Sequence, residues 1–176
     1  MQEVYAFLKK CGVYYLATMD GAQPRVRPFG TIDLYDGKLY IQTGKIKSVA
    51  RQMKANPRVE ISGMTADGQW IRLTAEAVLD ESIAAQEHML AAYPSLQSQY
   101  QPGDGNTEVY FLRGAEAQIC SFTAPARHIF THIEWHMSGY LCDVETPGGG
   151  FVWASAEAIA GQYSIPSAFA AFLRLL

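Results

Sequence analysis

Cysteine is scarce in this sequence, and its three cysteines are widely separated. Cys11, Cys120 and Cys142 include no Cys-x-x-Cys pair, and their number is odd. Because structural zinc sites and disulfide frameworks use closely spaced or paired cysteines, the sequence predicts neither. We expect reduced thiols, with Cys11 and Cys120 acting as small buried apolar residues.

Long apolar runs and a basic excess are also missing. No run approaches the ~18 apolar residues that a membrane-spanning helix needs. The start Met1-Gln2-Glu3-Val4 lacks the basic stretch of a signal peptide. The formal net charge is -3, so the chain as a whole does not attract nucleic-acid phosphates. These absences predict a cytoplasmic protein and disfavour membrane and nucleic-acid partners.

The 176 residues are 49% hydrophobic and 18% charged, which is the balance of a folded domain. Runs of β-branched and aromatic residues are separated by Asp-Gly pairs, which favour hairpin turns. The predicted strands are 13–19, 24–35, 38–43, 58–64, 70–79, 109–112 and 117–122, and the predicted helices are 2–11, 47–56 and 82–93. Closing such a sheet removes its exposed edges, so we expect a mainly β fold with flanking helices (α+β), an antiparallel barrel of about six strands with a small C-terminal α+β appendage.

The residue composition of the sequence changes after the last of these strands. The predicted features there are an aromatic and histidine-rich stretch at 128–144, a strand at 151–154, a helix capped by Ser155, and a last helix that Ser164-Ile165-Pro166-Ser167 precedes and that ends at Leu176. About fifty residues are marginal for an independent core. We therefore divide the chain into 1–125 and 126–176, and expect the second segment to pack on the barrel or on a partner chain.

Two groups of cations suggest an anion site in the first segment. Arg25 and Arg27 lie two residues apart on one predicted strand, so their side chains share a face. Lys45, Lys47 and Ser48 stand where a strand gives way to a helix, and a helix N-terminus with lysines can bind phosphate. The same residues can also be a solvated strand face, ordinary surface lysines and a helix cap, and the sequence leaves these alternatives open.

An ordered set of short motifs extends over most of the first segment. They are Tyr14-Tyr15-Leu16-Ala17-Thr18, Pro24-Arg25-Val26-Arg27-Pro28-Phe29-Gly30, Leu39-Tyr40-Ile41-Gln42-Thr43-Gly44-Lys45, Lys47-Ser48-Val49, Asn56-Pro57-Arg58-Val59, Trp70-Ile71-Arg72-Leu73 and Ile119-Cys120-Ser121-Phe122-Thr123. With this set, residues 1–125 resemble the FMN-binding split barrels related to pyridoxamine 5'-phosphate oxidase. The resemblance implies a split barrel that binds FMN at a homodimer interface.

The resemblance also implies roles for individual residues. The predicted cofactor-binding residues are Arg25, Arg27, Pro28, Phe29, Gln42, Thr43, Lys45, Lys47, Ser48 and Trp70. Residues 27–29 and 42–43 would line the flavin ring, whereas the two lysines and Ser48 would hold the phosphate. Trp70 would reach the ring from the partner chain, although it can also be a core or dimer-interface residue.

The first segment departs from the vitamin-forming oxidases at its last strand. Those enzymes carry an Arg-rich stretch that grips pyridoxal phosphate, whereas residues 117–122 contain no arginine. We therefore do not expect pyridoxamine phosphate as the substrate. The hypothesis is an FMN-dependent oxidoreductase of a small molecule, with NADH or NADPH as a candidate donor and no catalytic residue identified. The alternative is a non-catalytic, stress-type module that binds FMN, another cofactor such as haem or a deazaflavin, or none.

The second segment resembles a different family. The stretches His128-Ile129-Phe130-Thr131-His132-Ile133-Glu134-Trp135-His136-Met137, Phe151-Val152-Trp153-Ala154 and Ile165-Pro166-Ser167-Ala168-Phe169 are similar to the C-terminal half of the Nudix-like domain of adenine DNA glycosylases that act on A opposite oxidised guanine. Phe130-Thr131-His132 would correspond to the loop that recognises the damaged base. The sequence has no catalytic domain, no iron–sulfur cysteines and no Nudix box, so we expect packing or dimerisation rather than base excision. The apolar residues Phe130, Ile133 and Trp135 between His128, His132 and His136 favour an aromatic strand, so we expect packing rather than a metal site for these histidines.

Overall fold

The computed structural model of the protein describes residues 1–130, 133–142 and 152–173. The chain forms two compact units, Met1–Ala117 and Gln118–Leu176, which we call the first and the second unit. The expected domain boundary after residue 125 lies further along the same strand and stays a prediction. Among the described helices, none has both the length and the apolar character that crossing a bilayer requires.

The first unit is described throughout and consists of a sheet with flanking helices. Its helices are α1 (Gln2–Cys11), α2 (Ser48–Ala55) and α3 (Ile83–Ala92), followed by a 3-10 helix at Pro94–Ser98. Its strands are β1 (Tyr14–Asp20), β2 (Gln23–Phe29), β3 (Asp33–Tyr35), β4 (Lys38–Gly44), β5 (Arg58–Met64), β6 (Trp70–Asp80) and the first part of β7 (Thr107–Phe130). The predicted mainly β fold with flanking helices is confirmed.

The β3–β4 hairpin shows how local sequence decides a turn. Tyr35 pairs with Lys38, which leaves Asp36-Gly37 as a two-residue loop. Both loop residues have positive φ, 49° for Asp36 and 71° for Gly37. A type I′ hairpin turn needs this conformation at both positions, and Asp-Gly adopts it at low cost. The hairpin predicted at this pair is confirmed.

The strands follow the order β2-β1-β5-β6-β7-β4-β3. The pairings β1–β2, β1–β5, β5–β6, β3–β4 and β4–β7 are antiparallel. The β4–β7 pairing joins segments far apart in the chain and places the end of β4 beside the start of β7. Strands β2 and β3 are the two ends of this path, so the pairings in the described residues do not close the sheet into the expected barrel.

The core of the first unit includes one face of β1, β5 and β6, whereas β4 is buried on both faces. Leu16, Ile61 and Leu73 are partners across β1, β5 and β6, and each is 0% exposed. Helix α1 buries Val4, Phe7 and Leu8. Because buried and exposed positions alternate along β5, one face of this strand packs and the other faces outward. The alternation that predicts these strands therefore also positions the core.

One long predicted strand is two strands in the structure. The strand expected over 24–35 is interrupted at residues 30–32, between β2 and β3. There the Tyr93 hydroxyl accepts a hydrogen bond from the Ile32 N–H (2.8 Å) and donates to the Ile32 carbonyl (2.7 Å). The Thr31 carbonyl accepts from the Tyr14 hydroxyl (2.7 Å). Side-chain hydroxyls replace the ladder bonds of the sheet here, which no local pattern reveals.

The second unit contains a β-hairpin and short helices. Its described elements are the end of β7, β8 (Ile133–Cys142), α4 (Ala156–Gln162) and a 3-10 helix at Ser167–Phe169. Strand β7 is continuous where two strands, 109–112 and 117–122, were predicted. The Ser155 hydroxyl accepts a hydrogen bond from the Ala158 N–H (3.2 Å), so the predicted cap is confirmed.

Two expectations for the second unit are wrong. Residues 152–154 of the strand predicted at 151–154 have no regular structure, and residue 151 lies outside the described residues. Of the predicted last helix, the described residues 167–173 form only a 3-10 helix with turns, since the Phe169 N–H bonds to the Pro166 carbonyl three residues before it, and residues 174–176 lie outside the described residues. A short helix is marginal in water without a packed apolar face, and most described side chains here are exposed.

Candidate functional site

A cleft of about 220 Å³ lies where the end of β2, the end of β4, the start of α2 and the 3-10 segment meet. The residues that line it are Arg27, Pro28, Phe29, Gly30, Thr31, Gln42, Thr43, Lys47, Val49, Leu96 and Tyr100. Most of the predicted cofactor residues are therefore brought together, although they come from separate parts of the sequence. The exceptions are Arg25, Lys45, Ser48 and Trp70.

Polar atoms without partners make this cleft the candidate binding site. Gln42 is 4% exposed and Thr43 is 3% exposed. Within the described residues, the Gln42 Oε1 and Nε2 atoms and the Thr43 Oγ1 atom have no hydrogen-bond partner. A buried polar group left unpaired costs roughly 1–3 kcal/mol. A ligand that supplies the missing partners would remove this cost.

Arg27 is fixed by contacts to strand β1 and helix α2. Its guanidinium donates to Thr18 Oγ1 (2.6 Å) and the Leu16 carbonyl (3.0 Å) on β1, and to Gln52 Oε1 (2.7 Å) on α2. The Thr18 hydroxyl in turn donates to Gln52 Oε1 (2.7 Å). Burial lowers the pKa of Arg27, and the nearby Arg25 lowers it further. The side chain stays charged and presents a positioned cation at the cleft, not a solvated strand face.

Arg25 lies outside the cleft and is exposed. Its Nε atom is 3.6 Å from Asp20 Oδ2, and Arg51 approaches the same carboxylate at 3.9 Å. Arg25 and Arg27 face Thr18 and Leu16 of β1 in the register. The two arginines thus share a strand face as predicted, but only Arg27 borders the cleft.

The turn from β4 into α2 carries the predicted phosphate residues. Lys47 is the N-cap residue and Ser48 the first residue of α2. The Lys45 N–H donates to the Asn106 carbonyl (2.7 Å), and the Lys47 N–H donates to the Gly44 carbonyl (3.0 Å). The side chains of Lys45, Lys47 and Ser48 are exposed. An ordered turn with exposed cations at a helix N-terminus is suited to an anion.

A sequence model of pyridoxamine 5'-phosphate oxidase matches residues 1–133. The chain belongs to the pyridoxamine 5'-phosphate oxidase family. This result confirms the first of the two resemblances in the sequence. The resemblance of 128–176 to a glycosylase domain stays a prediction. We found no match among curated proteins.

Solved structures share the fold of this member of the oxidase family. A NimC/NimA family protein from Clostridium acetobutylicum is 44% identical with a TM-score of 0.69, over 80% of this chain and 92% of that chain. General Stress Protein 26 from Bacillus anthracis is 18% identical with a TM-score of 0.54, over 64% and 86% of the two chains. HutZ, the heme storage protein from Vibrio cholerae, is 16% identical with a TM-score of 0.52, over 66% and 91%. The last two are similar in fold alone.

The sequence-based prediction for this oxidase-family chain missed Leu96 and Tyr100, which line the cleft from the segment between the predicted helix 82–93 and the predicted strand 109–112. Tyr100 is 6% exposed, and its ring lies 5.7 Å from Lys47 Nζ. A Cβ atom at Gly44 would come within 3.0 Å of the Tyr100 ring and hydroxyl. The absence of a side chain at Gly44 therefore lets Tyr100 pack against the end of β4.

The segment that carries Tyr100 is held by Asp104. This carboxylate accepts hydrogen bonds from the N–H groups of Gln101 (3.0 Å), Asn106 (2.8 Å) and Thr107 (2.6 Å). These bonds, that from Thr107 above all, lower the pKa of Asp104 to about 2. The sequence Asp104-Gly105-Asn106-Thr107 is the signal that could have predicted this turn, because aspartate readily bonds backbone N–H groups nearby.

The oxidase-family chain also has a larger groove of about 630 Å³ along β1, β5 and β6. The charged residues there include Arg113 and Glu76. The Arg113 Nε and Nη2 atoms both donate to Glu76 Oε2, at 3.0 and 2.6 Å. None of the buried unpaired atoms in the described residues lies among the residues that line this groove. We therefore take the smaller cleft as the candidate site.

Trp70 does not line the cleft within one chain. It is the first residue of β6, is partly buried and lies opposite Met64 of β5. Its expected contact with a flavin bound to a partner chain stays a prediction. In the described residues, no group of three or more His, Cys, Asp or Glu side chains is placed to hold a metal ion.

Proposed function

We propose that the protein binds FMN in the cleft and acts as a flavin-dependent oxidoreductase on a small molecule. The observation that carries this proposal is the set of unpaired buried atoms on Gln42 and Thr43. The Gln42 amide offers one acceptor and two donors, which suits the polar edge of a flavin ring. Pro28 and Phe29 add apolar surface beside it. The residues present therefore fit this cofactor.

The phosphate of FMN would lie at the start of α2. Lys45, Lys47 and Ser48 offer charge and donors on an exposed turn. Charge-assisted hydrogen bonds of this kind are stronger than neutral ones. The hydrogen-bond network around Arg27 holds a further cation at the cleft. Phosphate binding and ring binding would thus use different cations.

The proposal includes a second copy of the chain. The cleft of about 220 Å³ is smaller than the roughly 300–1,000 Å³ of ordinary ligand pockets. Tyr15, Val26 and Met64 are 54%, 64% and 66% exposed. Tyr15 pairs with Pro28, which also lines the cleft. A partner docked on this outer face of the sheet would cover apolar surface and extend the cleft, so we propose a homodimer.

When bound, FMN would supply the hydride transfer, with NADH or NADPH as the candidate donor. The protein would bind and orient the flavin and exclude water from one of its faces. Arg27 would stabilise negative charge that develops on the ring, because its guanidinium is already held in place by Thr18 and Gln52.

Titration of the purified protein with FMN, followed by flavin fluorescence, tests the binding. Replacing Gln42→Leu removes an amide that is unpaired without ligand, so we expect unchanged or higher stability of the FMN-free protein and roughly tenfold or more weaker FMN binding. Gln52→Leu is the matched control, since Gln52 is equally buried but bonded to Thr18 and Arg27. It should destabilise the FMN-free protein. Equal FMN affinity of wild type and Gln42→Leu would contradict the proposed site.

A non-catalytic role is the second candidate. Among the described residues that line the cleft there is no histidine, aspartate, glutamate or cysteine side chain, the groups that most often serve as general acids, bases or nucleophiles. A module that binds a flavin or another cofactor would need no such group. The second unit would then serve packing or dimerisation, as predicted from its sequence. Tight FMN binding without reduction by NADH or NADPH would favour this candidate over the oxidoreductase.

A further inference from the structure

The β7–β8 hairpin brings together two cysteines that are far apart in the sequence. Cys120 lies directly opposite Cys142 in the register. The next two pairs, Ser121 with Leu141 and Phe122 with Tyr140, continue the same register, and the irregularity comes only after Phe122. The cysteine pair therefore belongs to a regular antiparallel stretch.

Opposed residues in such a ladder are close enough for a covalent bond. Their Cα atoms are about 4.5 or 5.5 Å apart, depending on the hydrogen-bonding pattern of the pair. Disulfides join cysteines whose Cα atoms are roughly 4.4–6.8 Å apart. Directly opposed positions also share one face of the sheet, because side chains alternate along both strands. Either kind of pair is thus compatible with a cross-strand bond.

We propose that Cys120 and Cys142 are a redox modification site, which forms a reversible disulfide across the hairpin. In the forward step, the two thiols lose two protons and two electrons, and an S–S bond forms between them. A low-molecular-weight disulfide such as glutathione disulfide accepts the electrons and protons and is reduced to two thiols. Neither cysteine is among the residues that line the candidate cleft, so the proposal does not depend on the proposed function.

The bond would stabilise a unit that has little core of its own. From Gln118 onward, Cys120 is the only residue that is buried among the side chains that the structure describes. Joining it to Cys142 would close the hairpin between them and reduce the freedom of the unfolded segment. Because Cys120 is only 5% exposed, an oxidant would reach it through local opening of the hairpin. We therefore expect slow formation and slow reduction.

The test equilibrates the full-length protein in buffers with different ratios of glutathione disulfide to glutathione. Intact mass after alkylation counts the remaining thiols, and peptide mapping without reduction locates any bond. We expect oxidised protein to lose two alkylation sites and to yield a linked peptide with Cys120 and Cys142. Cys11→Ser, the matched control, should form the same bond, whereas Cys120→Ser and Cys142→Ser should carry only glutathione adducts. Mapping of the wild type needs no variant to fold.

The proposal is overturned if both thiols remain open to alkylation at equilibrium, if the wild type carries only glutathione adducts, or if the bond involves Cys11 or a second chain. A functional consequence is measured by limited proteolysis. Cleavage within 118–142 should slow by roughly tenfold or more in the oxidised protein, because the closed hairpin opens less often. The rate of cleavage within the first unit should not change. This result would distinguish a local effect of the disulfide on the hairpin from a general stabilisation of the protein.

Discussion

The two units of the chain differ in how far their described apolar side chains are buried. In the first unit, Leu16, Ile61 and Leu73 form a row across three strands with no exposed surface. In the second unit, Ile129 and Trp135 are 58% and 46% exposed. Apolar residues stabilise a fold by their burial and not by their presence in the sequence. Apolar side chains therefore build a buried row in the first unit, whereas the described apolar side chains of the second unit after Cys120 are at least partly exposed.

Removing a core side chain from each unit gives the largest expected difference. Leu16→Ala should lower the free energy of unfolding by about 2–5 kcal/mol, because it leaves a cavity between β1 and β5. Ile129→Ala should change it by about 0.5 kcal/mol or less. Urea unfolding followed by circular dichroism measures both values. Equal losses would mean that Ile129 is buried in solution, and the contrast between the units would fail.

Adding a methyl group to a glycine in each unit sharpens the contrast. Gly44→Ala places a Cβ atom 3.0 Å from Tyr100, so we expect a loss of about 1–3 kcal/mol and weaker FMN binding. Gly161→Ala meets nothing within 4 Å and lies in α4, where alanine favours the helix by up to about 1 kcal/mol. Thermal unfolding and FMN titration distinguish them. A tolerated Gly44→Ala with normal FMN affinity would contradict the role given to Tyr100.

The two serine caps form a matched pair of smaller effect. The Ser82 hydroxyl accepts a hydrogen bond from the Ala85 N–H (3.3 Å), as Ser155 does from Ala158 (3.2 Å). Each substitution by alanine should cost its own helix about 1 kcal/mol. Because α3 carries buried residues and α4 none that is described, Ser82→Ala should lower the urea midpoint of the first unit, whereas Ser155→Ala should only speed hydrogen exchange in α4. Identical effects on the midpoint would show that α4 packs as firmly as α3.

The smallest expected effect concerns pH. The pKa of Asp104 is lowered to about 2, so its ionised form is favoured in the folded protein. Its contribution to stability is full above the ordinary aspartate pKa of about 4 and is lost as the pH falls through about 2. Asp104→Asn should therefore lower the melting temperature at neutral pH, and its difference from wild type should shrink between pH ~4 and ~2. A difference that is constant with pH would exclude the charge as its cause.

The sequence-based predictions were correct where a feature depends on neighbouring residues and failed where it depends on distant ones. Strands β1, β5 and β6 were predicted from local runs of β-branched and aromatic residues, and each of them buries one face in the structure. The interruption at Ile32 could not be predicted, since it depends on the hydroxyl of the distant Tyr93. In the second unit, the Ser155 cap is a local interaction and was predicted correctly. The predicted last helix is a 3-10 helix with turns in the described residues, because a short α-helix is stable only when an apolar face is packed.

The residues of the candidate site were also predicted only in part. Gln42, Thr43, Arg27 and Lys47 were predicted from motifs and lie at one cleft. Tyr100 was missed because its role depends on packing against Gly44, which is far away in the chain. Arg25 and Trp70 were expected at the site and lie elsewhere within a single chain. A motif identifies residue types, but only the packing tells which of them face the same space.

The sequence by itself determined the strand and turn pattern of the first unit and its family, because alternation, Asp-Gly turns and short motifs are local properties. Only the tertiary structure decided three other features. They are the β4–β7 pairing, the burial of the Gln42 amide without a partner, and the register that sets Cys120 against Cys142. Each of them depends on segments that are distant in the chain. Such contacts depend on the whole set of competing pairings and burials, and no short stretch of sequence contains that information.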